Sequence, residues 1–151
     1  MEKRLTIALV AHDNRKADLV EWAVFNADFL AKHKLVCTGT TGSLVLKAMK
    51  EKGVAADITC MNSGPLGGDA EIAAMVVRKE VDMAVFLIDD LNAQPHEADI
   101  QMLLRQCRVH NVPIACNRYT ADLMITSTLW DKEDYIPMEP KYVAFKRSKN
   151  K

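Results

Sequence analysis

The chain has 151 residues, 49% apolar and 26% charged, with 20 basic residues balanced by 20 acidic ones. That length and composition read as one globular domain, residues 1–151, large enough to bury a core. A formal charge of zero leaves no global field to draw the protein to nucleic acid or to a membrane surface, so neither is expected as a partner.

The N-terminal Met1-Glu2-Lys3-Arg4 runs straight into a strand pattern, with no apolar segment long enough for a signal or a span. A cytoplasmic location is the expectation. Cys37, Cys60, Cys107 and Cys116 form no CxxC pair and have no His at ligand spacing, so no zinc site is expected. Cys37, Cys60 and Cys116 each sit in or at the end of a strand pattern and read as buried, reduced thiols.

The first element is the continuous apolar run Leu5 to Ala11, too short for a helix and suited to a buried parallel strand. Asp13 or Asn14 can cap the helix that follows, which shows Leu19, Trp22, Ala23, Ala27 and Leu30 on one face. A second strand, Leu35 to Cys37, runs into Thr38-Gly39-Thr40-Thr41-Gly42-Ser43. The next helix then turns Leu44, Val45, Ala48 and Met49 inward. The third strand, about Ala56 to Met61, enters Ser63-Gly64-Pro65-Leu66-Gly67-Gly68-Asp69, followed by a helix with Ile72, Met75 and Val76 inward.

Met83 to Ile88 is the fourth strand, ending in the polar loop Asp89 to His96. A helix with Ile100, Leu103, Leu104 and Cys107 on one face follows. Val112 to Asn117 is the fifth strand, and Thr120-Ala121-Asp122 opens a last short helix. Five strands alternating with helices define a parallel sheet covered on both faces. From about 139 to 151 the tail carries five basic residues and, after Glu139, no acid. It reads either as a solvated tail or as an arm against a partner subunit. His33 and His110 read as surface residues.

Ligands of open parallel sheets bind outside the carboxyl ends of the strands. His12, the Thr38–Ser43 stretch, the Ser63–Asp69 stretch, Asp89 and His96 all fall there, which makes one composite site the expectation. Glycines, hydroxyls and a helix N-terminus around Thr38 to Ser43 suit an anion. The stretch is neither a Walker A loop nor a dinucleotide fingerprint. Lys16, in the first turn of its helix, opposes the helix dipole, an arrangement that a bound phosphate compensates. Asp69 is either a helix cap or a base, His12 either a buried, hydrogen-bonded strand-end histidine or a ligand, His96 either a loop residue or a ligand, and Asp99 either caps its helix or joins the site. Together, a carboxylate, two imidazoles and an anion cradle suggest proton abstraction from a small phosphorylated carbonyl compound.

Ala11-His12-Asp13 with Lys16, Thr38-Gly39-Thr40-Thr41-Gly42, the heptapeptide ending in Asp69, and Leu91-Asn92-Ala93 with Pro95-His96 and Asp99 resemble the methylglyoxal synthases. The resemblance runs from about Leu5 to Ser127 and is most specific in the heptapeptide. Asp90 stands where the family usually has proline. The resemblance implies a three-layer α/β/α fold with strands ordered 3-2-1-4-5, a homohexamer, and no metal or organic cofactor. It also implies a carbon–oxygen lyase that converts dihydroxyacetone phosphate to methylglyoxal and inorganic phosphate, bypassing lower glycolysis. Phosphate is then a product and a candidate inhibitor.

By the same resemblance Asp69 is the catalytic base, while His12 and His96 bind the carbonyl and hydroxyl oxygens. Thr38, Gly39, Thr40 and Thr41, with Lys16, Ser63 and Gly64, surround the phosphate. Asp99 is either a partner of His96 or a proton shuttle, and Asp13 and Asp89 orient neighbours. A non-catalytic ligand-binding module, like the regulatory domain of carbamoyl-phosphate synthetase, would share the Thr/Gly stretch without needing both Asp69 and His96.

Overall fold

The computed structural model describes residues 3–139. The basic tail expected after Glu139 lies outside the described residues. Five strands run parallel: β1 (Thr6–Ala11), β2 (Lys34–Thr38), β3 (Asp57–Met61), β4 (Met83–Leu87) and β5 (Ile114–Ala115), in the spatial order 3-2-1-4-5. This is the order expected from the family resemblance. The register pairs Ala8 with Val36 on one side and with Ala84 on the other, which puts β1 at the centre.

The helices are α1 (Lys16–Phe25), α2 (Ala27–Leu30), α3 (Gly39–Glu51), α4 (Gly68–Val77), α5 (Glu97–Val109) and α6 (Arg118–Thr126). Strand side chains alternate between two cores because successive residues point to opposite faces. Ile7, Leu9, Leu35, Val85 and Leu87 pack with Leu19 and Trp22 of α1, Val45 and Met49 of α3 and Ile125 of α6. Ala8, Val10, Val36, Ala84 and Phe86 pack with Ile72 and Val76 of α4 and with Ile100, Leu103 and Cys107 of α5. Burying each large aliphatic side chain contributes about 1.5–3 kcal/mol, so β1 and β4, covered on both sides, hold the strand ends in fixed positions.

The expected single helix over Trp22 to Leu30 is broken at Asn26, although its apolar face continues. Both the Asn26 backbone N–H and its side-chain amide donate to the Trp22 carbonyl, at 3.0 and 2.9 Å, a local competition that ends a helical ladder. Neither Asp13 nor Asn14 caps α1; Asp13 to Arg15 form a 3-10 turn preceded by His12. The helix expected after Ser43 already begins at Gly39, which sets Thr41, Val45 and Met49 inward at intervals of four and leaves Leu44 outside, 39% exposed.

Strand β5 is much shorter than expected because Pro113 has no N–H to give. Only its carbonyl pairs, accepting from Ala84 at 2.9 Å, and Asn117 then caps α6 by accepting from the Thr120 N–H at 2.8 Å. Cys60 and Cys116 are exposed, contrary to expectation, because β3 and β5 are the two edges of the sheet; Cys37 and Cys107 are buried. His33 is buried, not a surface residue: Nδ1 accepts the Leu5 N–H at 2.9 Å and the ring packs against Phe29 and Trp130. No helix among the described residues is long and apolar enough to cross a membrane.

Candidate active site

The carboxyl ends of β1 to β4 open on a cavity of about 250 Å³. His12, Lys16, Thr38, Thr40, Thr41, Ser63, Gly64, Asp69 and His96 all line it, so nine of the expected site residues share one space. Gly39 and Asp99 do not line it. Gln94, from the loop before α5, does line it and was not expected. A glutamine in a polar loop carries no periodicity or turn signature by which sequence could single it out.

Helix α3 begins against the cavity, with its first-turn Thr40 and Thr41 in the lining. Its first-turn N–H groups have no partners within the helix, and the helix dipole adds partial positive charge. The Gly39 N–H is already used, donating to the Asn62 carbonyl at 3.1 Å, and its backbone packs so tightly that a Cβ there would meet Ser63 Cα at 2.7 Å. Gly39 therefore joins the two loops, and Thr40 and Thr41 are the donors that remain. Thr41 Oγ1 is buried with no hydrogen-bond partner. Lys16 reaches over this turn, with Nζ 2.7 Å from Asp13 Oδ1 and 3.3 Å from Thr40 Oγ1. Asp13, whose side chain is 93% exposed, anchors the lysine at the rim of the cavity it also lines.

Asp69 lines the same cavity. It is not a cap. The cap position is Gly67, whose φ of 103° needs glycine, and Asp69 lies in the first turn of α4 with its side chain turned inward. It is fully buried, neither carboxylate oxygen has a hydrogen-bond partner, and Oδ2 lies 3.4 Å from His96 Nε2. Burial, reinforced by the negative charge of Asp99, pushes its pKa above the ordinary carboxylate value, against the opposing pull of His96. A carboxylate so placed is a stronger base than one in water. Gly64 passes directly over this pair: a Cβ on it would meet His96 Nε2 at 2.9 Å and Asp69 Oδ1 at 3.2 Å.

His12 completes the set. Its ring stands edge-on to His96 with centroids 5.5 Å apart. Nδ1 accepts the Asp89 backbone N–H at 2.8 Å, so a neutral His12 carries its proton on Nε2, which is buried and has no other partner. Burial, then the proximity of His96, lowers its pKa and favours that neutral form. The Asp89 carboxylate is held by Asn14 at 2.9 Å, Asn92 at 3.0 Å and the Leu91 N–H at 3.1 Å, which depress its pKa and keep it ionised.

Ligand atoms of His12, Asp69 and His96 all lie within 4.8 Å of one another, the spacing of a metal site. The protonation pattern argues against one. A ligating imidazole donates its other N–H to an acceptor, whereas His12 Nδ1 accepts and His96 Nδ1 has no hydrogen-bond partner. Asp99 makes no side-chain bond to His96, since that Nδ1 is unpartnered; its charge reaches Asp69 instead.

A doubly wound sheet with a buried carboxylate, two imidazoles and a helix N-terminus lining one cavity defines the class, and residues 18–116 match the family model described as the MGS-like domain. Methylglyoxal synthase from Treponema socranskii is 69% identical over 147 residues, 97% of this chain and 93% of that protein. Methylglyoxal synthase from Coxiella burnetii (strain Dugway 5J108-111) is 46% identical over 140 residues, 93% of this chain and 94% of that protein. The crystal structure of methylglyoxal synthase from Elizabethkingia anophelis NUHP1 aligns with a TM-score of 0.82 at 39% identity, covering 97% of this chain and 93% of that one. The chain belongs to the methylglyoxal synthase family.

Proposed function

We propose that this protein is a carbon–oxygen lyase that converts dihydroxyacetone phosphate to methylglyoxal and inorganic phosphate, with Asp69 as the base. The observation that carries the reading is that one cavity gathers both parts of the chemistry. A buried, unpartnered carboxylate with a raised pKa, the first turn of a helix and Lys16 all line it. Membership of the methylglyoxal synthase family supports the same reaction.

In this reading Asp69 takes the C3 proton of the substrate, which must lie within about 3 Å of its oxygen. The electron pair left behind moves onto the C2 carbonyl oxygen, where the His12 Nε2–H and His96 stabilise the enediolate by hydrogen bonding. The phosphate rests on the Thr40 and Thr41 N–H and hydroxyl groups, with Thr38, Ser63, Gly64 and Lys16 around it and Gly39 fixing the backbone. This cradle holds the bridging C–O bond perpendicular to the enediolate plane, so the electron pair collapses outward and expels phosphate. The same donors stabilise the leaving dianion. The remaining enol takes a proton on the carbon that lost phosphate and gives up its hydroxyl proton, which yields methylglyoxal. Asp99 acts from outside the cavity, raising the basicity of Asp69. A homohexamer, inhibition by phosphate and a cytoplasmic location belong to this reading through the family resemblance.

The test is incubation with dihydroxyacetone phosphate in the presence of a metal chelator, following both products. Equimolar phosphate and methylglyoxal are expected. Binding without release of either would replace the lyase with a ligand-binding module on the same fold.

A further inference from the structure

Cys37 of β2 and Cys60 of β3 are register partners in the sheet. Partners in a parallel ladder present their side chains on the same face, on strands about 4.8 Å apart. That separation falls inside the Cα window of roughly 4.4–6.8 Å that a disulfide requires. Both side chains converge beneath Gly42 of α3, where an added methyl would meet Cys60 Sγ at 2.4 Å and Cys37 Cβ at 3.0 Å. One thiol is buried and the other is exposed.

Their place in the chain ties them to the anion cradle. Thr38, the residue after Cys37, lines the cavity, and Asn62, two residues after Cys60, accepts the Gly39 N–H at 3.1 Å. The two loops that frame the cradle therefore leave the sheet directly beyond this pair. We infer that Cys37 and Cys60 form an oxidisable cross-strand dithiol under the cradle, and that closing it to a disulfide weakens the cradle's hold on phosphate.

The oxidant is a hydroperoxide. The exposed Cys60 sulfur attacks one peroxide oxygen, the O–O bond breaks, and Cys60 becomes a sulfenic acid while the other oxygen leaves as water or alcohol. Burial pushes the Cys37 thiol up to about 12, which leaves the first attack to Cys60. The Cys37 sulfur then displaces the sulfenic hydroxyl, which departs with the Cys37 proton as water. With hydrogen peroxide, two thiols are oxidised to one disulfide and the peroxide is reduced to two waters. The bond draws the Cβ atoms to about 3.8 Å, closer than ladder partners normally stand, so it pulls the ends of β2 and β3 together and shifts the donors of the cradle. Disulfide formation is independent of the proposed reaction; its effect on phosphate rests on that reading.

The full-length protein is treated with graded hydrogen peroxide, and its disulfides are mapped by peptide mass without reduction. Affinity for inorganic phosphate is measured before and after by calorimetry. A Cys37–Cys60 cross-link lacking two hydrogens, reversed by dithiothreitol, is expected. Phosphate affinity should fall by about fivefold or more on oxidation and recover on reduction. Cys60→Ser should keep its phosphate affinity in peroxide, and so should wild-type protein whose exposed Cys60 has been alkylated while folded. Cys60 running on to a sulfinic acid, or a bond confined to Cys107 and Cys116, would overturn the dithiol. A Cys37–Cys60 bond with unchanged phosphate affinity would overturn its coupling to the cradle. Reduced protein that binds no phosphate would count against the proposed reaction, while the mapping would still decide the dithiol.

Discussion

The backbone N–H of Asp89 donates to Nδ1 of His12 at 2.8 Å, from the end of β4 to the end of β1. This bond fixes the imidazole as an Nε2–H donor facing the cavity, and three donors to the Asp89 carboxylate keep it in place. Asn92→Ala removes one of them without touching the cavity. Turnover is expected to fall by about tenfold, as misplacement of a reacting group does, with phosphate affinity unchanged. Nitrogen NMR of the variant should show His12 shifting away from the pure Nε2–H tautomer. Wild-type turnover with an unchanged tautomer would remove Asn92 from the positioning chain.

Gly64 tests the tightness of the Asp69–His96 pair. The methyl of Gly64→Ala would press His96 Nε2 at 2.9 Å and Asp69 Oδ1 at 3.2 Å. Because both groups are buried in packed surroundings, relief must come from moving them. A loss of about 10²-fold in kcat is expected, with the fold retained by circular dichroism. Activity within twofold of wild type would mean the pair tolerates displacement.

Lys16→Ala removes the only Lys or Arg side chain that lines the cavity among the described residues and frees Asp13 from its 2.7 Å contact. Losing a charge-assisted hydrogen bond of about 1.5–3 kcal/mol should weaken phosphate binding by about tenfold or more. The freed carboxylate adds repulsion. Calorimetry with inorganic phosphate gives the answer, and unchanged affinity would place the anion elsewhere.

The raised pKa of Asp69 makes activity and stability respond oppositely to pH. Between the ordinary value of 3.8 and its higher folded value, the native state keeps a proton that the unfolded chain has released. Stability therefore falls as pH rises through that interval, whereas the base becomes active as it ionises. Asp69→Asn removes this penalty, so its melting temperature at neutral pH should equal or exceed that of wild type. The difference should vanish as pH drops below 3.8. A lower melting temperature at neutral pH would show that the ionised carboxylate is stabilised by contacts the structure lacks.

Much of the fold was legible because its signals are periodic. The continuous apolar runs of β1 and β4 announce strands buried on both faces, and Leu19, Trp22, Val45 and Met49 mark the helix stripes that cover them. The gathering of odd residues after strands was legible too, and the structure brings Thr38, Thr40, Thr41, Ser63, Gly64, Asp69 and His96 into one cavity. What escaped depends on partners distant in the chain. Whether Cys60 is buried depends on β3 being an edge, and His33 is buried because Leu5 and Trp130 meet it. Neither fact has a local signature. The inward turn of Asp69 escaped for the same reason, since an aspartate at the start of a helix reads equally well as a cap.

The most direct test of the central claim is Asp69→Asn assayed with dihydroxyacetone phosphate alongside a phosphate titration. The amide keeps the shape and cannot accept the proton. Turnover should fall by at least about 10²-fold while phosphate affinity stays within about twofold, because Asp69 makes no hydrogen bond to any cradle residue. Turnover near that of wild type would remove Asp69 as the base.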